Sequence, residues 1–429
     1  MAKPQSPFSI PAFRHYWLAR FCSTIALNSM VVIIGWQVYD VARRTMQPRE
    51  AAVQLGLVGL AQFLPLMALT LVTGLVADRF DRRWIVRATV GLEVICATAL
   101  ALLTWRDAVS LPALFMIAAL LGVARAFSGP AFQALSPNLV PPAILPAAIA
   151  TSSVAWQIGG IIGPPLGGYL YAIHPPLAYA VSAGLLLSAW INLMMIPPVP
   201  RTAGGGRGNP WPQMIEGLAY VRRNRLVLGA ISLDLFAVLL GGATAMLPIY
   251  ARDILHIGSS GLGHLRAAPA VGATVVAIWL SRRPLQRNVG AKLLVAVAVF
   301  GVATVIFGLA HKTPMPMLVA LVCLAMLGAA DMVSVFIRQS LIQIYTPDAM
   351  RGRVSAVSIL FISGSNELGE AESGFLAALI GPVAAVVAGG IGTIMVAALW
   401  ARLFPEILRA RTFDPPAPLE EASSLEKAA

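Results

Sequence analysis

Charge is scarce in this 429-residue sequence: Asp, Glu, Lys and Arg make up 12% of it, against about 25% in a soluble domain. Hydrophobic residues make up 58% and the mean hydropathy is +0.78, more apolar surface than a water-soluble core can hide. A bilayer is the solvent that accommodates it. Cysteine is sparse too: Cys22, Cys96 and Cys323 stand singly in apolar runs, which argues against a disulfide framework and against a metal site. The five histidines, His15, His174, His256, His264 and His311, share no motif, and HExxH, GxSxG and phosphate-loop patterns are missing. An enzyme is therefore not expected, nor a cofactor, nor a nucleotide-driven pump. Acidic residues are the scarcer sign, 19 against 31 basic ones. The resulting +12 is spread through loops instead of gathered on one face, so nucleic acid is not an expected partner.

What the sequence does have is twelve apolar stretches of spanning length, near 15–40, 53–77, 84–105, 111–135, 143–171, 176–196, 227–251, 259–281, 290–310, 314–344, 352–380 and 383–404. The longest break runs from Pro197 through Gly204-Gly205-Gly206 and turns amphipathic from Trp211 to Val221, reading as a linker and a surface helix. The expected plan is all-α: residues 1–14, a six-helix half at 15–196, a linker at 197–225, a second six-helix half at 226–404, and a disordered tail at 405–429. The polar start lacks a signal-peptide core, so the first apolar run is expected to remain an anchor.

Basic residues concentrate in alternate gaps. One side collects Arg14, then Arg79, Arg82, Arg83 and Arg87, the linker, Arg282 to Lys292, Arg351, Arg353 and the tail. The other holds only Arg43, Arg44, Arg49, Arg106, Arg252 and Lys312. The positive-inside rule then puts both termini in the cytoplasm of a bacterial inner-membrane protein. The halves are related as well. A shift of 206 positions lays Leu121-Gly122 on Leu327-Gly328, Pro141 on Pro347, Arg125 on Asp331 and Asn28 on Asp234. Two repeats around a midplane site are a transporter plan.

Gly74-Leu75-Val76-Ala77-Asp78-Arg79-Phe80-Asp81-Arg82-Arg83 stands between the second and third runs and resembles the signature loop of the major facilitator superfamily. Leu121, Arg125 and Gly129 are similar to its second motif. Gly159, Gly163, Pro164, Gly167 and Gly168 resemble the fifth-span motif of its proton-coupled exporters. The phrases Tyr345–Val354 and Asn366–Gly374 resemble the exporter branch that handles enterobactin and macrolides. The resemblance implies two six-helix bundles, alternating access and an efflux role. It also implies a cytoplasmic gate built on Gly74, Asp78, Arg79, Asp81, Arg82 and Arg83, and a helix-packing or hinge role for the fifth-span glycines and Pro164.

Charges inside the apolar runs cost a few kcal/mol each unless paired or hydrated, so they point to function. Arg20 and Arg266 are expected to snorkel, and Glu93 to pair with an arginine. Asp331 and Arg338 are seven apart and share a helix face, while Arg125 and Asp331 oppose each other in sign across the pseudo-symmetry. Asp234, Asp331, Glu367 and Glu370 are the proton-coupling candidates, each equally open to a structural ion-pair reading. Asn28, Gln37, Gln62, Gln133, Trp156, Gln157, Phe236, Gln339 and Asn366 are candidates for the substrate path or, alternatively, helix-packing groups. The expected partners are a small amphipathic substrate, protons and lipid, with a monomer as the working unit. An importer, a lipid flippase and a transporter-like sensor stay open as other readings.

Overall fold

The computed structural model describes residues 6–79, 81–141, 144–198, 210–283, 285 and 287–413, and within them leaves aside the side chains of residues 70–79, Trp211 and Glu367 among others. The first half comprises α1 (Pro11–Arg43), α2 (Pro48–Arg79), α3 (Arg82–Trp105), α4 (Leu111–Leu135), α5 (Leu145–Ile173) and α6 (Pro175–Met194). After α7 (Pro210–Arg223), α8 (Arg225–Leu240) opens the second half. That crossing is not the continuous run 227–251 expected. It breaks at Gly241-Gly242, where helix propensity is lowest, and finishes through a 3-10 turn, a single turn α9 (Leu247–Ile249) and a π-helical stretch Tyr250–Ile254. Next come α10 (Gly258–Arg282), α11 (Val289–Gly308), α12 (Pro316–Ile344), α13 (Asp348–Ile380) and α14 (Pro382–Leu403).

Both halves pack in the same order: α2, α4, α3, α6, α1, α5 in the first, and α10, α12, α11, α14, α8, α13 in the second. They meet along α5 with α10 and α2 with α13. Small residues set these contacts, because without an aqueous driving force helices associate by close packing. Gly122 lies under the Gln62 carbonyl of α2, and its counterpart Gly328 lies under the Pro269 carbonyl of α10. Gly159, Gly163 and Gly167 face Thr24, Ile25 and Ser29 of α1. Gly168, expected on that face, is turned about 100° further and instead meets Ser259 and Gly263 of α10. Large side chains such as Ile95, Met116, Ile173, Val275, Leu379 and Met395 stay exposed around the outside, where lipid replaces water.

The side bearing the chain termini also carries α7, whose Val221 is buried against the starts of α8 and α13 while Ile215 and Leu218 remain exposed. Glu216 pairs with Arg353 at 2.6 Å, and Tyr220 donates to the Tyr345 carbonyl at 2.8 Å. The tail expected to be disordered from 405 begins with a short helix, α15 (Pro405–Arg409). Ile407 is fully buried there, and Arg225 Nε meets Glu406 Oε1 at 2.8 Å. The backbone at the start of α15, and then Arg225, hold the Glu406 carboxyl below the usual carboxylate range. One buried isoleucine and one ion pair outweigh the polar composition that suggested disorder; residues 414–429 lie outside the described part.

Candidate functional site

A cavity of about 370 Å³ opens among α8, α10, α11, α12 and α13 of the second half. Asp234, Asp331, Arg338, Asn366 and Glu370 line it together with Val238, Phe300, Val335 and Ile362. Its charges are organised in pairs with one surplus. Arg338 meets Asp234 in an ion pair whose two side chains are almost entirely buried, and the Arg338 Nε has no hydrogen-bond partner among the described residues. Arg266 Nη2 reaches Glu370 Oε1 at 3.5 Å, and its Nη1 donates to the Thr244 carbonyl at 3.1 Å. Arg266 therefore does not snorkel. The break after α8 puts Thr244 in a 3-10 turn, and its carbonyl, which also accepts the Leu247 N–H, holds the guanidinium inside. Asp331, about two helical turns before Arg338, makes no ion pair of its own among the described residues. Two carboxylates thus share one guanidinium.

The facing wall comes from the first half and carries the opposite sign. On α5, Ile149 and Trp156 are more than half exposed, on the strip between the glycines that pack on α1 and those that pack on α10. This strip faces the cleft. Arg20 of α1 lies between Trp156 and Phe132, its guanidinium carbon 5.8 and 5.9 Å from the two ring centres. Arg125 of α4 is exposed about two and a half turns from the outward-facing Met116, and so points to the inner side of the bundle. Gln157 Nε2 bridges the halves to Thr274 Oγ1 at 2.8 Å.

Other predicted residues are placed elsewhere. Gln37 is buried, bonded to Thr104 at 3.1 Å and to Tyr179 at 2.7 Å, and ties α1 to α3 and α6. Asn28 donates back to the Thr24 carbonyl beneath Gly163, inside the α1–α5 contact. Phe236 is two residues from Asp234, hence about 200° around α8, and packs on Trp400 at the outside. Gln133 is exposed at the terminal end of α4, and Gln339 is half-buried outside the cavity lining. Glu93 is buried and, among the described residues, has no arginine partner; its neighbours are Ser23 and Cys96, and its Oε2 is unpartnered there.

Of the signature loop, the side chains of Gly74, Asp78 and Arg79, like that of Glu367, lie outside the described residues. Asp81 caps α3, its Oδ1 accepting from the Arg83 N–H at 3.0 Å while Arg83 Nη2 closes on Oδ2 at 2.5 Å. Arg87 donates to the Leu193, Met194 and Ile196 carbonyls that end α6, where cations are favoured.

Sequence reasoning missed a polar bridge on the face away from the termini. Tyr39 OH donates to Asp253 Oδ2 at 2.6 Å, with Arg43 Nε 3.4 Å from the same oxygen. Arg252 Nη1 meets Asp40 Oδ1 at 2.6 Å, and Arg44 joins Asp40 at 3.7 Å. The bridge ties the end of α1 to the π-helical stretch of the other half. Its partners are more than 200 residues apart, so only their shared position at span ends hinted at them. Below it, Gly56 of α2 touches Gly374 of α13, and Gly168 of α5 touches Gly263 of α10. On this side the halves are sealed.

The description "transmembrane secretion effector" matches residues 2–422. Similar proteins include an enterobactin exporter, EntS, from Citrobacter koseri, 29% identical over 418 residues that span 95% of each chain. The Escherichia coli O1:K1 exporter of that name is 29% identical over 415 residues, 94% of each chain. Among solved structures, the nucleoside transporter NupG superposes with a TM-score of 0.74 at 13% identity, covering 92% of this chain and 100% of that one. The xylose transporter XylE of E. coli, in its inward-open conformation, gives 0.68 at 15%, covering 98% and 99%.

Proposed function

Because the chain belongs to the transmembrane secretion effector family of major facilitator transporters, we propose that it is a proton-coupled exporter of a small amphipathic organic molecule, working by alternating access. The basic terminal side is the cytoplasmic one. With the far side sealed, the cleft then opens to the cytoplasm, the state that loads cargo for export. The enterobactin exporters at 29% identity across nearly the whole chain support outward transport.

The observation that carries coupling is the surplus carboxylate. Asp234 is neutralised by Arg338 and Glu370 by Arg266, whereas Asp331 shares the same cavity without a cation of its own among the described residues. A group in that position is charged when water and cations reach it and neutral when the cavity closes, so it can exchange a proton for cargo. Asp234 and Glu370 act as gated ion pairs in this scheme, and Glu367 stays a candidate on sequence grounds.

The test is flux in proteoliposomes with an imposed pH gradient. Asp331→Asn is expected to lose at least about tenfold in gradient-driven accumulation while equilibrium exchange at equal pH persists. Gradient-driven accumulation equal to wild type in Asp331→Asn, Asp234→Asn, Glu367→Gln and Glu370→Gln alike would refute proton coupling through these carboxylates.

A further inference from the structure

Arg20 is an expensive residue for its place. It sits about ten residues into α1, in an apolar bundle, and makes no ion pair among the described residues. Its Nε is buried and has no hydrogen-bond partner among the described residues. A guanidinium that merely anchored the helix would reach water at the terminal face. This one is held between two aromatic rings, Phe132 of α4 and Trp156 of α5, both within 6 Å of its carbon. Aromatic faces stabilise a desolvated cation without neutralising it, and they fix the plane of the fork. What stays unsatisfied is a buried N–H on the Nε edge, the edge that together with one Nη binds a carboxylate or a pair of phenolate oxygens through two parallel bonds. Trp156 is 57% exposed on the cleft-facing strip of α5, so it is the side chain free to yield or to stack on an incoming ring. The surplus Asp331 repels anions from the opposite wall.

We infer that the Arg20–Phe132–Trp156 cluster is the docking point for an aromatic organic anion, which Arg20 holds by its acidic group and Trp156 by its ring. This deepens, and rests on, the transporter reading above. Opposite signs on the two walls orient such a cargo with its anion toward the first half and its apolar body toward Phe300 and Ile362.

The test is equilibrium binding to the full chain in lipid nanodiscs. The probes are 2-naphthoate, the matched cation 2-naphthylmethylammonium, and the non-aromatic anion cyclohexanecarboxylate. Saturable 2-naphthoate binding is expected, weakened about tenfold or more by Arg20→Gln. Trp156→Leu is expected to weaken 2-naphthoate about threefold and to leave cyclohexanecarboxylate unchanged. Arg20→Lys keeps the charge but not the fork and should fall between, which preserves the test if Arg20→Gln does not fold. Binding of the cation as tight as that of the anion, or 2-naphthoate affinity unaltered in Arg20→Gln, overturns the inference. If 2-naphthoate does not bind while the pH-driven flux in proteoliposomes persists, the anion site is wrong and the transporter reading stands. Loss of both in the wild-type chain removes both.

Discussion

Replacing Arg338 by Gln is expected to destabilise the protein by about 3–5 kcal/mol, because Asp234 and Asp331 are then left in a buried site with no cation between them. The size follows from an asymmetry. A buried ion pair contributes little over an apolar pair of the same shape, since desolvation of both ions offsets their attraction; removing one partner leaves the other's desolvation uncompensated. The double variant Asp234→Asn/Arg338→Gln removes both charges from the α8–α12 contact and is expected to recover most of that loss. Graded unfolding in SDS, followed by helical circular dichroism, measures all three proteins. A single variant as stable as wild type would mean the pair is hydrated. A double variant no better than the single one would mean the loss comes from packing instead of charge.

The second large effect is expected at the seam on the sealed side. A Cβ placed on Gly374 would lie 2.8 Å from both the Cα and the N of Gly56, so the backbones of α2 and α13 must separate to admit any larger residue. Gly374→Leu is therefore expected to hold the seam open and to lower transport by at least about tenfold, since a few kcal/mol of overpacking exceeds the ~1.4 kcal/mol that shifts a two-state population tenfold. Ala52, fully buried beside this contact, reports the opening. With Cys22, Cys96 and Cys323 replaced by alanine, Ala52→Cys should resist a membrane-impermeant maleimide in the parent and react in the Gly374→Leu chain. Arg252→Gln, which breaks only the polar bridge above the seam, is expected to give a smaller gain in labelling. An unreactive thiol in the Ala52→Cys/Gly374→Leu chain, together with normal flux, would show that α2 and α13 do not part there during transport.

The membrane fold, the twelve crossings and the two-fold repeat were legible in the linear sequence because each rests on local, repeated signals. An apolar run long enough for a bilayer needs no partner to be recognised. The 206-residue shift that matched Gly122 to Gly328 also matched the backbone contacts the two glycines make, on Gln62 in one half and Pro269 in the other. Side-chain direction was less secure. A one-residue step turns a helix about 100°, so Gly167 and Gly168, read together, serve different neighbours, and Phe236, read as a substrate-path residue, faces away from the cavity that Asp234 lines.

The charged residues divide the same way. That Asp234, Asp331, Arg338 and Glu370 matter follows from their cost in hydrocarbon, which any sequence displays. Which of them is neutralised depends on distances between helices, and the tertiary structure alone assigned Arg338 to Asp234, Arg266 to Glu370, and, among the described residues, no ion-pair partner to Asp331. The bridge of Tyr39 and Arg43 with Asp253, and of Asp40 with Arg252, joins groups more than 200 residues apart that meet only when the two halves close on one side. Composition and hydropathy act through transfer into the bilayer, which each segment undergoes by itself, so the sequence determined the architecture. Pairing acts through geometry between segments, with energies that fall off within a few ångströms, and that only the packed helices decided.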